Sequence, residues 1–182
     1  MSSNNTKSLA VYFSREGNNY VSGSIVNLPI GNTEVIAKMI QEKNGSDIFR
    51  IETVNSYPAD YTETTNVAQK ELRENVRPKL AAHIENMESY DVIFLGYPNW
   101  WGTMPMAVFT FLEEYDFAGK TIIPFCTHEG SGLGHSEKDI AKLCPKAEVL
   151  NGKSFHGSLV KSAQKEVTEW LGKIDMKRLQ NS

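Results

Sequence analysis

Five short apolar segments alternate with longer amphipathic segments along the chain. Residues 9–13 and 92–96 are almost wholly apolar, which is typical of strands buried on both faces of a sheet. The segment 47–53 alternates apolar and polar positions, as an outer strand does. Residues 121–126 and 148–150 complete the predicted set, although Pro124 removes a backbone donor from the fourth strand.

Helical periodicity fills most of the intervals between these strands. The clearest repeat, at positions 160, 163, 167, 170, 171 and 174, predicts a final helix that buries Trp170 in the core. The remaining predicted helices are one over 31–44, one over about 62–75, a weak short one over 79–90, and one each beginning at Pro105 and Ser136.

The order of these elements predicts an α/β fold. Strands that alternate with helices form a parallel sheet covered on both faces by right-handed crossovers, which gives a three-layer sandwich. No repeat or linker divides the chain, so we expect one domain over residues 8–176 after a disordered tail at 1–7. In such a sheet ligands bind beyond the carboxyl ends of the strands, where the strand order reverses.

Composition narrows the class of protein. The 182 residues are 40% hydrophobic and 23% charged, with a net charge of −3, which argues against a nucleic-acid partner. No apolar run is long enough to span a membrane, and the polar amino terminus has no signal core. Cys126 and Cys144 form no CxxC pair, so we expect no disulfide framework and a cytoplasmic location.

The loop after the third strand holds Pro98, Asn99, Trp100, Trp101 and Gly102. Loops lie on the surface, where an exposed indole contributes little to the stability of the fold, so packing alone rarely explains two adjacent tryptophans there. A flat aromatic ligand can stack on an indole face, which favours a ligand site. The alternative is a loop folded back as a local lid, with one tryptophan in the core.

The loop after the first strand indicates an anion site. Ser14 ends that strand, and Gly31, Asn32 and Thr33 begin the first helix. Helix amino termini bind anions through unpaired N–H groups, and a glycine allows close approach of the backbone. The alternative is that Asn32 or Thr33 simply caps the helix. No Walker loop and no GxGxxG motif follows the first strand, so a single phosphate fits better than a dinucleotide.

A second glycine-rich loop, residues 127–134, follows the fourth strand. Thr127, His128, Gly130 and Gly132 are candidates for contacts with a ligand edge, since glycines let main-chain groups approach closely. The alternative is a flexible connection to the next helix. Cys126 and His128 lack two further ligands at metal spacing, so we predict no metal site.

Together these three loops resemble the loops of the flavodoxin family. Ser14 with Gly31-Asn32-Thr33 looks like its phosphate loop, and the tryptophan loop and residues 127–134 look like its two flavin loops. The resemblance covers about residues 8–174 and implies a short-chain flavodoxin-like protein. It also implies non-covalent FMN and a five-stranded parallel sheet in the order 2-1-3-4-5.

Two departures from the family pattern are evident. Sixteen residues separate Ser14 from Gly31, and we expect a hairpin over part of them. Arg15 is then a candidate phosphate contact. The second flavin loop lacks the tyrosine that many flavodoxins place there, so one flavin face is either open or covered by Tyr20, Tyr57 or Tyr61.

The resemblance implies a flavodoxin-like electron carrier that needs no catalytic residue, because FMN supplies the redox chemistry. Its partner would be a redox protein or a small electron acceptor. The alternative is an FMN-dependent NAD(P)H:quinone-type reductase, so carrier and enzyme both stay open. A receiver-like module is less favoured, because Ser14 and Tyr97 stand where it needs acidic residues.

Overall fold

A computed structural model describes residues 6–174 of the chain. The strands are β1 (Ser8–Tyr12), β2 (Gly17–Val21), β3 (Ser24–Leu28), β4 (Asp47–Arg50), β5 (Val92–Pro98), β6 (Thr121–His128), β7 (Glu148–Val149) and β8 (Lys153–His156). The α-helices are α1 (Asn32–Asn44), α2 (Tyr61–Glu74), α3 (Met106–Glu114), α4 (Ser136–Leu143) and α5 (Gln164–Lys173). Short 3-10 helices span Met87–Ser89 and Gly157–Ser162.

The central sheet is parallel and has the order β4-β1-β5-β6-β7, with β8 also paired to β6. The expected α/β architecture and the order 2-1-3-4-5 are therefore confirmed, except that two short strands share the fifth position. Strands β2 and β3 form a separate antiparallel hairpin, which confirms the hairpin predicted between Ser14 and Gly31.

Pro124 lies where the fifth position of the sheet is broken. Thr121 and Ile122 pair with β7, whereas Phe125 and the residues after it pair with β8. Proline has no N–H to donate, so a proline in a strand is tolerated where the ladder is interrupted. The second half of the fifth position, β8, was not predicted from the sequence.

Both faces of the sheet are covered, as a three-layer sandwich requires. On one face α1 and α5 pack on the sheet through a cluster that includes Ile36, Phe94 and Val167. On the other face α3 and α4 contribute Phe111 and Ile140 to the larger cluster. Trp170 lies at the edge of the first cluster and contacts the rings of Phe94, Phe125 and Phe155.

The short helix predicted over 79–90 is wrong. Most of this segment is irregular, and its backbone bonds to the chain after β4: Val54 N–H donates to Lys79 O, and Ala81 N–H donates to Glu52 O. The strand predicted over 47–53 ends at Arg50, and residues after it bond to the segment 79–81 instead. Tertiary pairing outweighs the weak periodicity here, because the segment can satisfy its backbone groups along the sheet edge.

Residues 1–5 of the predicted tail, and 175–176 of the predicted domain, lie outside the described residues. Within the described range no helix is both long and apolar enough to cross a membrane.

Candidate ligand-binding site

Ser14 and Gly31 are adjacent in space although 16 residues separate them. A Cβ placed on Gly31 would overlap Ser14 Oγ and lie 2.6 Å from the Arg15 carbonyl oxygen. The hairpin therefore leaves the sheet and returns to almost the same point. Only glycine permits this approach, because any side chain would meet the backbone of Arg15.

The start of α1 is capped by a residue outside the helix. Its cap residue is Gly31, which has no side chain, and Ser14 Oγ accepts the Glu34 N–H at 3.1 Å instead. The alternative in which Asn32 or Thr33 caps the helix is therefore wrong. Residues in the first turn have N–H groups without acceptors inside the helix, and the helix dipole makes this end positive. The Thr33 hydroxyl is buried and lies 2.8 Å from the Thr127 hydroxyl.

The tryptophan loop is a tight turn that separates the two indoles. Trp100 and Thr103 exchange backbone hydrogen bonds, and Trp101 and Gly102 between them have φ of 56° and 87°. Positive φ at both central positions is the type I′ geometry, which glycine adopts freely and tryptophan rarely. The two adjacent side chains are therefore directed to different surroundings.

Trp100 belongs to an aromatic cluster, whereas Trp101 lies at the surface. The Trp100 ring makes edge contacts with Phe13 and Tyr57, with centroids 5.1 and 5.2 Å away. Trp101 is 48% exposed, and its Nε1 donates to the Thr65 carbonyl on α2 at 3.0 Å. The alternative interpretation places one tryptophan in the core; Trp100 is partly buried against the core and also lines the cavity described below.

Asn99 joins the tryptophan loop to the second glycine-rich loop. Its Nδ2 donates to the Gly132 carbonyl at 2.9 Å, and its Oδ1 accepts the Gly102 N–H at 2.9 Å. The Asn99 N–H donates to the Thr127 carbonyl. A Cβ on Gly134 would overlap the Gly102 carbonyl. The two loops therefore form one connected wall, which argues against a flexible connection at residues 127–134.

His128 is held by its own loop. Its Nδ1 accepts the Gly130 N–H at 2.8 Å, and its ring makes an edge contact with His156. Burial, together with the neighbouring His156, lowers the pKa of His128 from its ordinary value. The ring is therefore biased toward its neutral form, which leaves Nδ1 as an acceptor.

The three loops enclose a cavity of about 280 Å³ beyond the carboxyl ends of β1, β5 and β6. Eight of the residues predicted from the sequence line it: Arg15, Asn32, Thr33, Pro98, Asn99, Trp100, Thr127 and His128. An adjoining cavity of about 310 Å³ is lined by Trp101 and by residues of α2. Arg15, Asn99 and Trp100 line both cavities, so the two spaces meet at these side chains.

Six predicted residues do not line the first cavity, and one of them is Trp101, which lines the adjoining cavity. Gly31, Gly102, Gly130 and Gly132 shape the loops around the first cavity, and Ser14 lines a third cavity of about 510 Å³. Arg15 reaches all three cavities. Its guanidinium donates to the carbonyls of Asn18, Pro58 and Ala59, so it fastens the base of the hairpin to the loop before α2.

Sequence reasoning missed several residues that line the first cavity: Asn19, Glu129, Ser131 and Gly157. Gly157 follows β8, which had no clear strand pattern, whereas Glu129 lies beside His128 and could have been found from that position. Tyr20 and Tyr61 also line the cavity and stack at 6.3 Å. Tyr57 lies elsewhere, in the aromatic cluster below Trp100, where its hydroxyl donates to Glu71.

The fold and the cavity define a class: parallel α/β proteins that bind a ligand where the strand order reverses, here between β1 and β5. The comparison with family models identifies the family within this class. Residues 20–174 match the model described as flavodoxin. The chain belongs to the flavodoxin family, so the resemblance seen in the sequence is confirmed.

Individual relatives agree with this assignment. Flavodoxin 1 of Escherichia coli K12 is 29% identical over 128 residues, which is 68% of this chain and 55% of that protein. The chain thus spans about half the length of the curated relatives it matches. A Bacteroides eggerthii protein assigned to the flavoproteins has 28% identity and a TM-score of 0.73, covering 92% of this chain and 97% of its own. A flavoprotein from Lactobacillus acidophilus, solved in complex with FMN, shares the fold at 20% identity and a TM-score of 0.64, over 87% and 98% of the two chains.

Proposed function

We propose that the chain binds FMN non-covalently and transfers electrons through it. The observation that carries this proposal is that the start of α1, the tryptophan loop and the second glycine-rich loop all line the same cavity. The FMN complex of the Lactobacillus acidophilus protein, which has the same fold, supports the choice of flavin.

The residues at the start of α1 fit a phosphate. Asn32 and Thr33 line the cavity in the first turn of the helix, where N–H groups lack acceptors. The buried hydroxyls of Thr33 and Thr127 lie at the same end and can be redirected toward an anion. Gly31 has no Cβ, which lets Ser14 Oγ and the Arg15 backbone pack directly against the start of the helix. We therefore infer that this end would hold the phosphate group.

The opposite side of the cavity fits a flat ring. Trp100 lines it, and Trp101 lines the adjoining space against α2. Tyr20 and Tyr61 supply aromatic surface from the hairpin and from α2, which takes the place of the tyrosine absent from the second loop. Asn99 fixes the two loops relative to each other before the ligand binds. When bound, FMN supplies the one-electron and two-electron chemistry, and the protein orients it and limits its exposure to water.

One observation favours the second candidate, an FMN-dependent NAD(P)H reductase. The 510 Å³ cavity adjoins the proposed flavin site at Arg15 and Trp100, and its size is in the range of about 300–1,000 Å³ that small-molecule sites occupy. A carrier that exchanges electrons with a protein does not need such a space. Stopped-flow mixing of the FMN-loaded protein with NADPH separates the two: rapid bleaching by the protein alone favours the reductase, and slow bleaching favours the carrier.

The test of the main proposal is a titration of the purified protein with FMN, followed by flavin fluorescence and the visible spectrum. We expect quenching, saturation at one flavin per chain, and weaker binding of riboflavin, which lacks the phosphate. Absence of saturable binding would refute the proposal. Equal affinity for FMN and riboflavin would refute the assignment of the phosphate to α1.

We further propose that the protein works in the cytoplasm with a redox protein or a small electron acceptor as partner. Both cysteines are free and buried, and burial raises the pKa of the Cys126 thiol to about 12. Such a thiol is inert, as expected of a structural cysteine in a reducing compartment.

A further inference from the structure

The β2–β3 hairpin, residues 17–28, borders all three cavities. Asn19 and Tyr20 line the proposed flavin cavity, and Gly17, Asn18 and Asn27 line the cavity of about 510 Å³. The hairpin therefore forms part of the wall of each of these cavities. The way in which the hairpin is attached therefore determines how a ligand enters and leaves.

The hairpin is not held by burial of its apolar side chains. Tyr20, Ile25 and Val26 are 43%, 50% and 36% exposed. An isolated two-stranded hairpin is marginally stable in water. Its closed position must therefore depend on a few specific contacts with the rest of the protein.

These contacts occur at the base, the middle and the tip of the hairpin. At the base, Arg15 donates to Asn18 and to the loop before α2. In the middle, Tyr20 stacks on Tyr61 of α2. At the tip, the Ser22 N–H donates to Glu129 Oε2 at 3.2 Å.

The contact at the tip has the geometry of a latch. Ser22 and Gly23 are the turn residues, with φ of 52° and 86°, and this two-residue turn leaves the Ser22 N–H pointing away from the hairpin ladder. Glu129 comes from the opposite wall, in the second glycine-rich loop. The bond thus joins the two sides of the cavity across its opening.

The other carboxylate oxygen of Glu129 is free to accept a second hydrogen bond. Its Oε1 is buried and has no hydrogen-bond partner within the described part of the chain. A Cβ on Gly157 would lie 2.5 Å from this oxygen and 2.7 Å from Asn32 Nδ2, so the oxygen lies beside the start of α1. An unpaired buried carboxylate oxygen is costly, and a donor group of a ligand would remove that cost.

We propose that the β2–β3 hairpin is the cover of the ligand site and that Glu129 is the latch that holds it closed. Glu129 Oε2 holds the tip of the hairpin, while Oε1 is available to a hydroxyl of the bound ligand. One carboxylate therefore couples occupancy of the cavity to closure of the hairpin. The nature of the ligand rests on the proposed function, but the latch itself does not.

The first test uses the protein without added flavin. Amide hydrogen exchange at residues 18–27 is compared between the wild type, Glu129→Ala, and Glu85→Ala, which changes an exposed glutamate in the loop 79–90. We expect about tenfold faster exchange in Glu129→Ala, since a charge-assisted hydrogen bond is lost, and wild-type exchange in Glu85→Ala. Wild-type exchange in Glu129→Ala would overturn the latch, whether or not the protein binds flavin.

The second test measures FMN release after dilution into excess apoprotein trap. Glu129→Ala is expected to release FMN about tenfold faster and also to bind it faster, because the opening stays uncovered. Glu129→Gln keeps an acceptor for Ser22 and should lie between the two. Unchanged release from Glu129→Ala would overturn the proposal, whereas absence of FMN binding in the wild type would refute the proposed function and leave the exchange test decisive for the latch.

Discussion

The neighbouring residues Trp100 and Trp101 have identical side chains but different surroundings, and one backbone angle accounts for the difference. Because Trp101 has φ of 56°, its indole leaves the loop toward α2, while Trp100 packs on Phe13 and Tyr57. Trp100 therefore contributes to both the core and the cavity wall. Trp101 contributes exposed aromatic surface at the edge of the site.

Substitution of the two tryptophans should have different effects on FMN affinity and on stability. Trp101→Ala is expected to weaken FMN binding about tenfold with little loss of stability, because its ring is about half exposed. Trp100→Ala should weaken binding and also lower the free energy of unfolding by about 2–3 kcal/mol, since a partly buried ring is removed. Fluorescence titration and urea unfolding measure the two effects.

Trp170→Phe is the matched control for this pair. It alters the core on the other side of the sheet, so it should lower stability without changing FMN affinity. If neither Trp100→Ala nor Trp101→Ala changes the affinity, the aromatic wall has no part in binding.

His128 should make the free energy of unfolding depend on pH in the mildly acidic range. Burial lowers its pKa in the folded state, so the unfolded chain binds the proton more readily. Its contribution to stability is therefore complete above the unfolded pKa of about 6.5 and is lost as the pH falls through the folded pKa. Urea unfolding at several pH values between 7.5 and 5 should show a smaller loss in His128→Gln than in the wild type. An equal loss in both proteins would contradict this assignment.

At the scale of elements, the first loop is the feature that differs most from the compact family pattern. The hairpin interrupts the chain between Ser14 and Gly31, yet the backbone at Arg15 contacts Gly31. The start of α1 therefore keeps its place at the end of β1. An insertion of this kind is tolerated because its ends are already adjacent in space and closure costs little entropy.

Excision of the hairpin tests this independence. Replacing residues 16–30 with a single glycine should preserve the circular dichroism spectrum and change the free energy of unfolding by about 1–2 kcal/mol at most, since the lost contacts are few and exposed. FMN release should accelerate, because the site loses its cover. A variant that fails to fold would show that the hairpin is an integral part of the domain.

The described residues are organised around one central sheet with a core on each face. Strand β5 contributes to both, because Leu95 lies in the cluster with α3 and α4 while Phe94 lies in the cluster with α1 and α5. Unfolding of the sheet would therefore expose the apolar side chains of both clusters at once. The described domain should therefore unfold as one unit.

Adjacent mutations on opposite faces of β5 test this cooperativity. Leu95→Ala and Phe94→Ala should each lower the free energy of unfolding by about 3–4 kcal/mol, because both side chains are fully buried. In each variant, tryptophan fluorescence and far-ultraviolet circular dichroism should report the same midpoint. Two separate transitions would show that the two layers are independent.

Sequence patterns predicted the sheet well where strands are buried on both faces, and poorly at its margins. The segment 79–90 has helical spacing but follows the edge of the sheet, because residues 52–54 offer it backbone partners. Strand β8 is polar and short, and it pairs with the part of β6 that follows Pro124, beyond the pairing with β7. Both outcomes depend on contacts between distant parts of the chain, which local periodicity does not contain.

The buried strands, the five α-helices between and after them, and the three loops at the strands' carboxyl ends follow from the sequence alone, because apolar periodicity and glycine placement act locally. The tertiary structure decided which side chains share a space. It placed Ser14 against Gly31, joined Glu129 to the hairpin, and sent Trp100 and Trp101 in different directions. These arrangements arise from close packing between segments far apart in the chain, where one carbonyl or one positive φ determines what fits.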